Sequence, residues 1–313
     1  MESRAGERIS CLFKERHMNY TEQINAAIRA TASRFHDDGI KTAKDMIPAM
    51  DPAAVTGTVK RDVCYGTHPQ EKMDLYYPDQ KKEKYPVFAE VHGGAWYFGQ
   101  KSSIEFEPFL LGQKKGYVLV SIEYPLAPEA HYPAPVIALK KAIQYLKTHC
   151  EELALDPDEI TLWGGSAGAH LCALSVFSEG TGYLKQPGNV DATVKNLILA
   201  YGCHNYYLGT PLDSWVYENF FGTEDLSRIP ETLILSNPGA HVTKQVPRVL
   251  LQHGKKDGLV SFSQSVYLAD VIRRIAGEDR VRLELFDDCD HADVKLFSKE
   301  NIEHIFSWIQ GEV

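Results

Sequence analysis

The sequence has no long apolar run, no basic excess and no clustered cysteines, and each absence removes a class of function. No stretch approaches the roughly 20 apolar residues that a membrane-crossing helix needs. Lys plus Arg number 33 against 42 for Asp plus Glu, a formal net charge of -9. A nucleic-acid binder needs a basic footprint, and the short run Lys81-Lys82-Glu83-Lys84 reads as a solvated loop. The six cysteines (Cys11, Cys64, Cys150, Cys172, Cys203 and Cys289) form no C-x-x-C pair and no Cys/His cluster. They read as free thiols of a cytoplasmic protein. Charges at the start of the chain are followed by no apolar segment, so no secretory signal is expected in the sequence as it stands.

What is present fits one large α/β domain. The chain has 313 residues, 44% of them hydrophobic, enough to bury a sizeable core. We expect a single domain over 1–313, with an N-terminal helical arm at 1–56 and a cap insertion at 203–245. In the arm, Ile24, Ala27, Ile28 and Phe35 recur at helical spacing until Pro48, Asp51 and Pro52 break the pattern. The arm either covers a site or packs on the flank.

Strands then alternate with helices. Strand patterns fall at 58–65, 73–77, 86–91, 117–124, 160–163, 194–201, 248–254 and 281–286, the first two as an antiparallel pair. Helical patterns fall at 134–149, after residue 166, and at 261–275 and 294–309. This alternation implies a mostly parallel sheet covered on both faces, with its chemistry at the carboxyl ends of the strands.

The stretch 160–170 reads as strand, sharp turn and helix around Gly164-Gly165-Ser166-Ala167-Gly168. In such a G-x-S-x-G turn the serine Oγ stands above the sheet, and glycines two residues to either side let strand and helix pass. A serine hydroxyl needs a base, a group that orients the base, and donors for an oxyanion. His291 follows the last apolar strand and is the candidate base among twelve histidines. His92 and His253 end strands but precede glycine and read as turn residues, while His170 faces away from the turn. His131, His204 and His241 are weaker candidates. Asp257 follows the strand at 248–254 and is the candidate acid, with helix capping as its alternative. Asp287, Asp288 and Asp290 read as exposed or capping. The amides of Gly94, Ala95 and Ala167 are the candidate oxyanion hole. Trp96, Tyr206, Tyr207 and Trp215 are candidate substrate contacts, although the aromatics of the cap could equally form its core.

The order Ser166, Asp257, His291 is that of the α/β hydrolases. His92-Gly93-Gly94-Ala95-Trp96, the segments 123–129 and 132–134, Leu155-Asp156-Pro157-Asp158, the serine turn and the pattern His253-Gly254-x-x-Asp257-x-x-Val260 follow in register. Together they resemble that superfamily over about 57–310. Within it they resemble the bacterial esterase/lipase group of hormone-sensitive-lipase-like and acetylxylan/feruloyl esterases. Two positions depart from the hormone-sensitive-lipase-like pattern, Gly165 for aspartate and Ala95 for a third glycine. The expected activity is a serine carboxylesterase acting on small or medium esters, including acetyl or aryl esters of carbohydrates. It needs no metal and no organic cofactor, and its partner is a small-molecule ester; a homo-oligomer stays open. His-Gly-Gly-x-Trp is also a kynurenine formamidase pattern, so amide hydrolysis by a formamidase or exopeptidase is the alternative. A non-catalytic binding protein on the same fold is a third reading.

Overall fold

The computed structural model describes residues 49–188, 190–208 and 214–313, with the side chains of residues 214 and 215 outside the description. Most of the expected N-terminal arm therefore lies outside the described residues, as does the side chain of Trp215. The part of the arm that is described forms no α-helix. Ala49 bridges Ser103, and Pro52–Ala54 is a single 3-10 turn capped by Asp51.

The strands are β1 (Val59–Cys64), β2 (Lys72–Tyr76), β3 (Tyr85–Val91), β4 (Val118–Ile122), β5 (Leu155–Gly165), β6 (Asn196–Ala200), β7 (Arg248–Gly254) and β8 (Val281–Phe286). They form one sheet in the order β1-β2-β4-β3-β5-β6-β7-β8. β2 pairs antiparallel with both β1 and β4, and the five pairings from β4–β3 to β7–β8 are parallel. β5 begins five residues before the apolar run that marks it in the sequence, because Leu155 pairs with Tyr85 ahead of a register shift. Of the extra residues only Leu155 is buried; the Asp156-Pro157-Asp158-Glu159 run that follows it carries no strand pattern in its hydropathy.

Both faces of the sheet are covered. Val87, Ala89, Val91, Leu162, Leu199 and Leu251 face one core layer, and the alternate residues Phe88, Trp163, Ile198 and Leu250 face the other. That alternation is the period of two that a pleated strand imposes. The first layer is closed by α2 (Ala134–Thr148), α3 (Ala167–Thr181) and α6 (Ser263–Ala276), the second by α1 (Leu111–Lys114) and α7 (Lys299–Gln310). Residues 167–178 of α3 are all buried. The element carrying the serine turn is thus a core helix, held more rigidly than a surface helix with one apolar stripe.

One core position is an acid. Glu90, midway along β3, is buried, and its Oε2 accepts from the Ser121 hydroxyl at 2.8 Å. Burial pushes its carboxyl up to about 8; the Ser121 bond opposes this, and Glu105 and Glu123 add to it. Glu90 is therefore a neutral acid in the folded protein at pH 7, while the unfolded chain releases its proton near the ordinary carboxylate value. Stability from this group is complete below about pH 4.5 and falls as the pH rises through 8. We expect Glu90→Gln to flatten that decline, raising Tm relative to wild type by about 5 °C more at pH 9 than at pH 5. Parallel Tm–pH curves for the two proteins would contradict it.

Candidate active site

The serine turn is built by exclusion of side chains. Ser166 has φ 52° and ψ -117° between the end of β5 and the start of α3, a backbone strain of the kind held at functional sites by their surroundings. A Cβ on Gly164 would lie 2.5 Å from the Gly168 carbonyl oxygen, and one on Gly168 would lie 2.1 Å from that of Val91. The helix thus passes against the backbone of β3 with no room for a methyl group.

Ser166 meets His291, 125 residues away in sequence, with Oγ 3.0 Å from Nε2. His291 Nδ1 lies 2.8 Å from Asp257 Oδ2. A carboxylate only accepts, so Nδ1 carries the proton and Nε2 is left to accept from the serine hydroxyl. The other oxygen, Asp257 Oδ1, accepts from the amides of Leu259 (2.9 Å) and Val260 (2.7 Å). Asp257 does not cap the helix that starts at Ser263, whose N-cap is Phe262; its Oδ1 closes a turn within its own loop, and its Oδ2 faces the His291 imidazole. The Asp257 side chain is fully buried and that of His291 only 4% exposed. Burial favours the neutral acid, but the charge of His291 and hydrogen bonds from His253 and His291 outweigh it. They hold the Asp257 carboxyl well below the usual carboxylate range.

The loops bearing Asp257 and His291 are joined to each other. Lys255 N donates to Phe286 O at 2.8 Å and Lys256 N to Cys289 O at 3.0 Å. Asp290 Oδ1 accepts from Gly258 N (2.9 Å) and His291 N (2.7 Å), so it couples the loops from within. Asp287 and Asp288 are exposed and pair with Lys255 and Lys256, where solvent and salt screen the attraction.

The segment 92–96 lies directly on the serine turn. A Cβ on Gly93 would sit 3.1 Å from Gly165 O and 3.3 Å from Ser166 Cβ. Gly94, Ala95 and Trp96 have φ of 105°, 52° and 58°, so the chain coils left-handed over three residues. This explains why glycine suits position 95, where alanine strains the backbone by about 1–2 kcal/mol. His92 is the turn residue expected of it: its Nδ1 lies 2.8 Å from Gly93 O, and its ring stacks on Tyr124 at 4.3 Å.

The candidate substrate contacts separate. Trp96 is 1% exposed, stacked on Phe220 at 4.5 Å and edge-on to His170 at 5.3 Å. Tyr206 joins this ring cluster and places its hydroxyl 3.0 Å from His170 Nε2. Tyr207 points outward, 60% exposed, with its hydroxyl 3.4 Å from Pro230 O. Trp96, from the loop after β3, is therefore packed with Tyr217 and Phe220 of the 203–245 segment in one buried aromatic cluster. The 203–245 segment, expected from sequence as a cap, contains α4 (Ser214–Phe221) and α5 (Pro230–Leu235). It is tied down by His170 Nε2 to Ser236 O (2.8 Å), by Asn237 Oδ1 accepting from Tyr206 N (3.2 Å), and by Gln264 Oε1 accepting from His204 N (2.8 Å) and Asn205 N (2.7 Å).

Two residues escaped the sequence reading. His253 Nε2 lies 3.1 Å from Asp257 Oδ2, although its place before a glycine marks it only as a turn residue. Tyr201, at the end of β6, sets its ring edge-on to His291 at 4.9 Å. A Cβ on Gly165 would come within 2.6 Å of the Tyr201 hydroxyl and 2.8 Å of the Trp163 ring. The departure from aspartate at 165 thus has a local cause, since tyrosine and tryptophan rings occupy the space.

The family model BD-FAE matches residues 73–272, a span of 200 positions that carries the 92–96 loop, the serine turn and Asp257. The chain belongs to the BD-FAE family. It is 29% identical over 255 residues to the probable isoprenylcysteine alpha-carbonyl methylesterase ICMEL1 of Arabidopsis thaliana, covering 76% of this chain and 52% of that protein. To the esterase LipQ of Mycobacterium tuberculosis it is 29% identical over 220 residues, covering 68% and 52%. The chain spans about half the length of these relatives. Among solved structures, a truncated carbohydrate esterase from gut microbiota superposes with a TM-score of 0.73 at 23% identity, covering 85% of this chain and 98% of that one. The propionate-bound esterase Est2 of Thermogutta terrifontis gives 0.67 at 21%, covering 83% and 96%. This BD-FAE member therefore has the α/β-hydrolase fold. Among its described residues no helix is long and apolar enough to cross a membrane, and no cluster of His, Cys, Asp and Glu could hold a metal ion.

Proposed function

We propose that this BD-FAE member is a serine carboxylesterase acting on small or medium esters, acetyl or aryl esters of carbohydrates among them. The observation that carries the reading is the continuous chain of contacts from Ser166 Oγ through His291 to Asp257. Ser166 attacks the ester carbonyl while His291 Nε2 takes its proton. His291 then returns that proton to the leaving alcohol, and a water molecule activated by the same nitrogen releases the acid. Asp257 holds the imidazole in the tautomer this requires. The amides of Gly94, Ala95 and Ala167 receive the oxyanion. The first two have no acceptor among the described residues, and Ala167 opens α3, where a backbone N–H is left over by the helix pattern.

The esterase names of the sequence relatives and the carbohydrate esterase among the structural neighbours support the substrate class. The five described cysteines are free, which favours a reducing compartment such as the cytoplasm.

A substrate panel tests the reading. Acetyl, butyryl and feruloyl esters and N-formylkynurenine are compared by kcat/KM, and a fluorophosphonate probe is mapped by mass spectrometry. We expect the probe on Ser166 and ester turnover well above amide turnover. Faster hydrolysis of N-formylkynurenine than of every ester would move the assignment to amide hydrolysis, and a steady rise towards longer straight chains would remove the acetyl class.

A further inference from the structure

The acid of the proposed triad serves two imidazoles. Asp257 Oδ2 lies 2.8 Å from His291 Nδ1 and 3.1 Å from His253 Nε2. The same His253 Nε2 is 2.9 Å from the Val260 carbonyl oxygen, which can only accept. Nε2 therefore carries a proton and divides it between Asp257 and Val260. On the far side of the ring, Nδ1 is 2.7 Å from the Ser265 hydroxyl of α6, which donates to it. His253 and Ser265 are both fully buried. With the amides of Leu259 and Val260 on Oδ1, the carboxylate has four donors on two oxygens and no freedom to rotate.

We infer that His253 is a positioning residue for the hydrolytic reaction. By donating to Asp257 Oδ2 it fixes the carboxylate's angle towards His291 and withdraws charge from the oxygen that His291 faces. The inference rests on the esterase reading. Ser265 acts one step further out, holding His253 in the tautomer that donates. The other ionisable groups around the pair are few. The loop after β8 brings His291, Asp290 and the Cys289 thiol; Lys255 and Lys256 of the acid's own loop pair outward with Asp287 and Asp288. The segment after β6 brings His204, held uncharged by burial and by the nearby His170 and His253.

The consequence is a pH signature that loss of packing alone does not produce. With the His253 donor gone, more carboxylate charge falls on His291, its protonated form is favoured, and the acid limb of the pH–rate profile moves to higher pH. His253→Phe keeps a ring and loses the donor. It should lower kcat on the order of tenfold to a hundredfold, leave KM within about twofold, and move the acid limb up by about half a pH unit. His253→Gln places an amide N–H near the position of Nε2 and should recover most of the rate and the wild-type limb. Ser265→Ala, a smaller change should the phenylalanine variant not fold, is expected to shift the limb in the same direction with a loss of a few fold in kcat. Equal losses in the Phe and Gln variants, or an unmoved acid limb in both the Phe and Ala variants, overturn the inference while the wild type still hydrolyses esters. A wild-type protein that takes no fluorophosphonate on Ser166 overturns the esterase reading and this inference together.

Discussion

Ser166→Ala should lower kcat for p-nitrophenyl acetate by about 10⁶-fold, the scale seen when a serine hydrolase loses its nucleophile. The loss is that large because no neighbouring group can replace the hydroxyl. Asp257 is enclosed by four donors, and the buried thiols of Cys203 and Cys289 are pushed up to about 12 and about 11 by burial. What survives should be the roughly 10³–10⁴-fold over water that oxyanion donors and binding supply by themselves. The variant should fold normally. Alanine at φ 52° is strained as serine is, and the backbone bond from residue 166 N to Ala200 O at 2.9 Å is untouched. Unchanged turnover in folded, well-purified protein would end the assignment.

Asp257→Asn should cost about 10⁴-fold in kcat through tautomer reversal. The two amides on Oδ1 require an acceptor there, so the asparagine oxygen takes that place and its NH2 group takes the place of Oδ2. It would then point hydrogens at His291 Nδ1 and His253 Nε2. His291 would have to accept at Nδ1 and carry its proton on Nε2, where it cannot take the proton of Ser166. The same substitution alters stability in acid. Because the folded protein holds this carboxyl below its usual range, the ionised form stabilises the fold above about pH 4, and that contribution is lost as the pH falls further. The asparagine variant should lack this slope in a Tm–pH series. A variant within tenfold of wild type in kcat would show that Asp257 does not orient the base.

The local geometry of the candidate site was legible in the sequence because it is written in short segments. Gly164, Ser166 and Gly168 sit within one turn, and their spacing reports a backbone crossing that a Cβ would block. Asp257 and His291 each follow an apolar strand, and a parallel sheet brings the ends of its strands to one edge. The eight strands and their alternation were legible for the same reason. What stayed hidden depends on sheet register or on contacts between distant segments. Tyr201 meets Gly165 because β6 pairs beside β5, with Gly165 opposite Ala200. His253 looks like a turn residue until the loop curls and brings Asp257 back under its ring, four positions on. The cap's helices have 8 and 6 residues, too few turns to produce a periodic signal. Their attachment runs through His170 and Ser236, 66 residues apart.

The bonds between the loops after β7 and β8 have a consequence for how this family can vary. Asp257 and His291 are held by the same three links, two backbone bonds from Lys255 and Lys256 and one from Gly258 N to the Asp290 side chain, whereas Ser166 precedes a buried helix on another part of the sheet. In the proposed triad, Asp257 and His291 therefore form one mechanical unit and Ser166 another. A chimera that exchanges either loop alone is expected to break Asp290's grip on Gly258, while one that moves 254–260 together with 286–293 is expected to keep it.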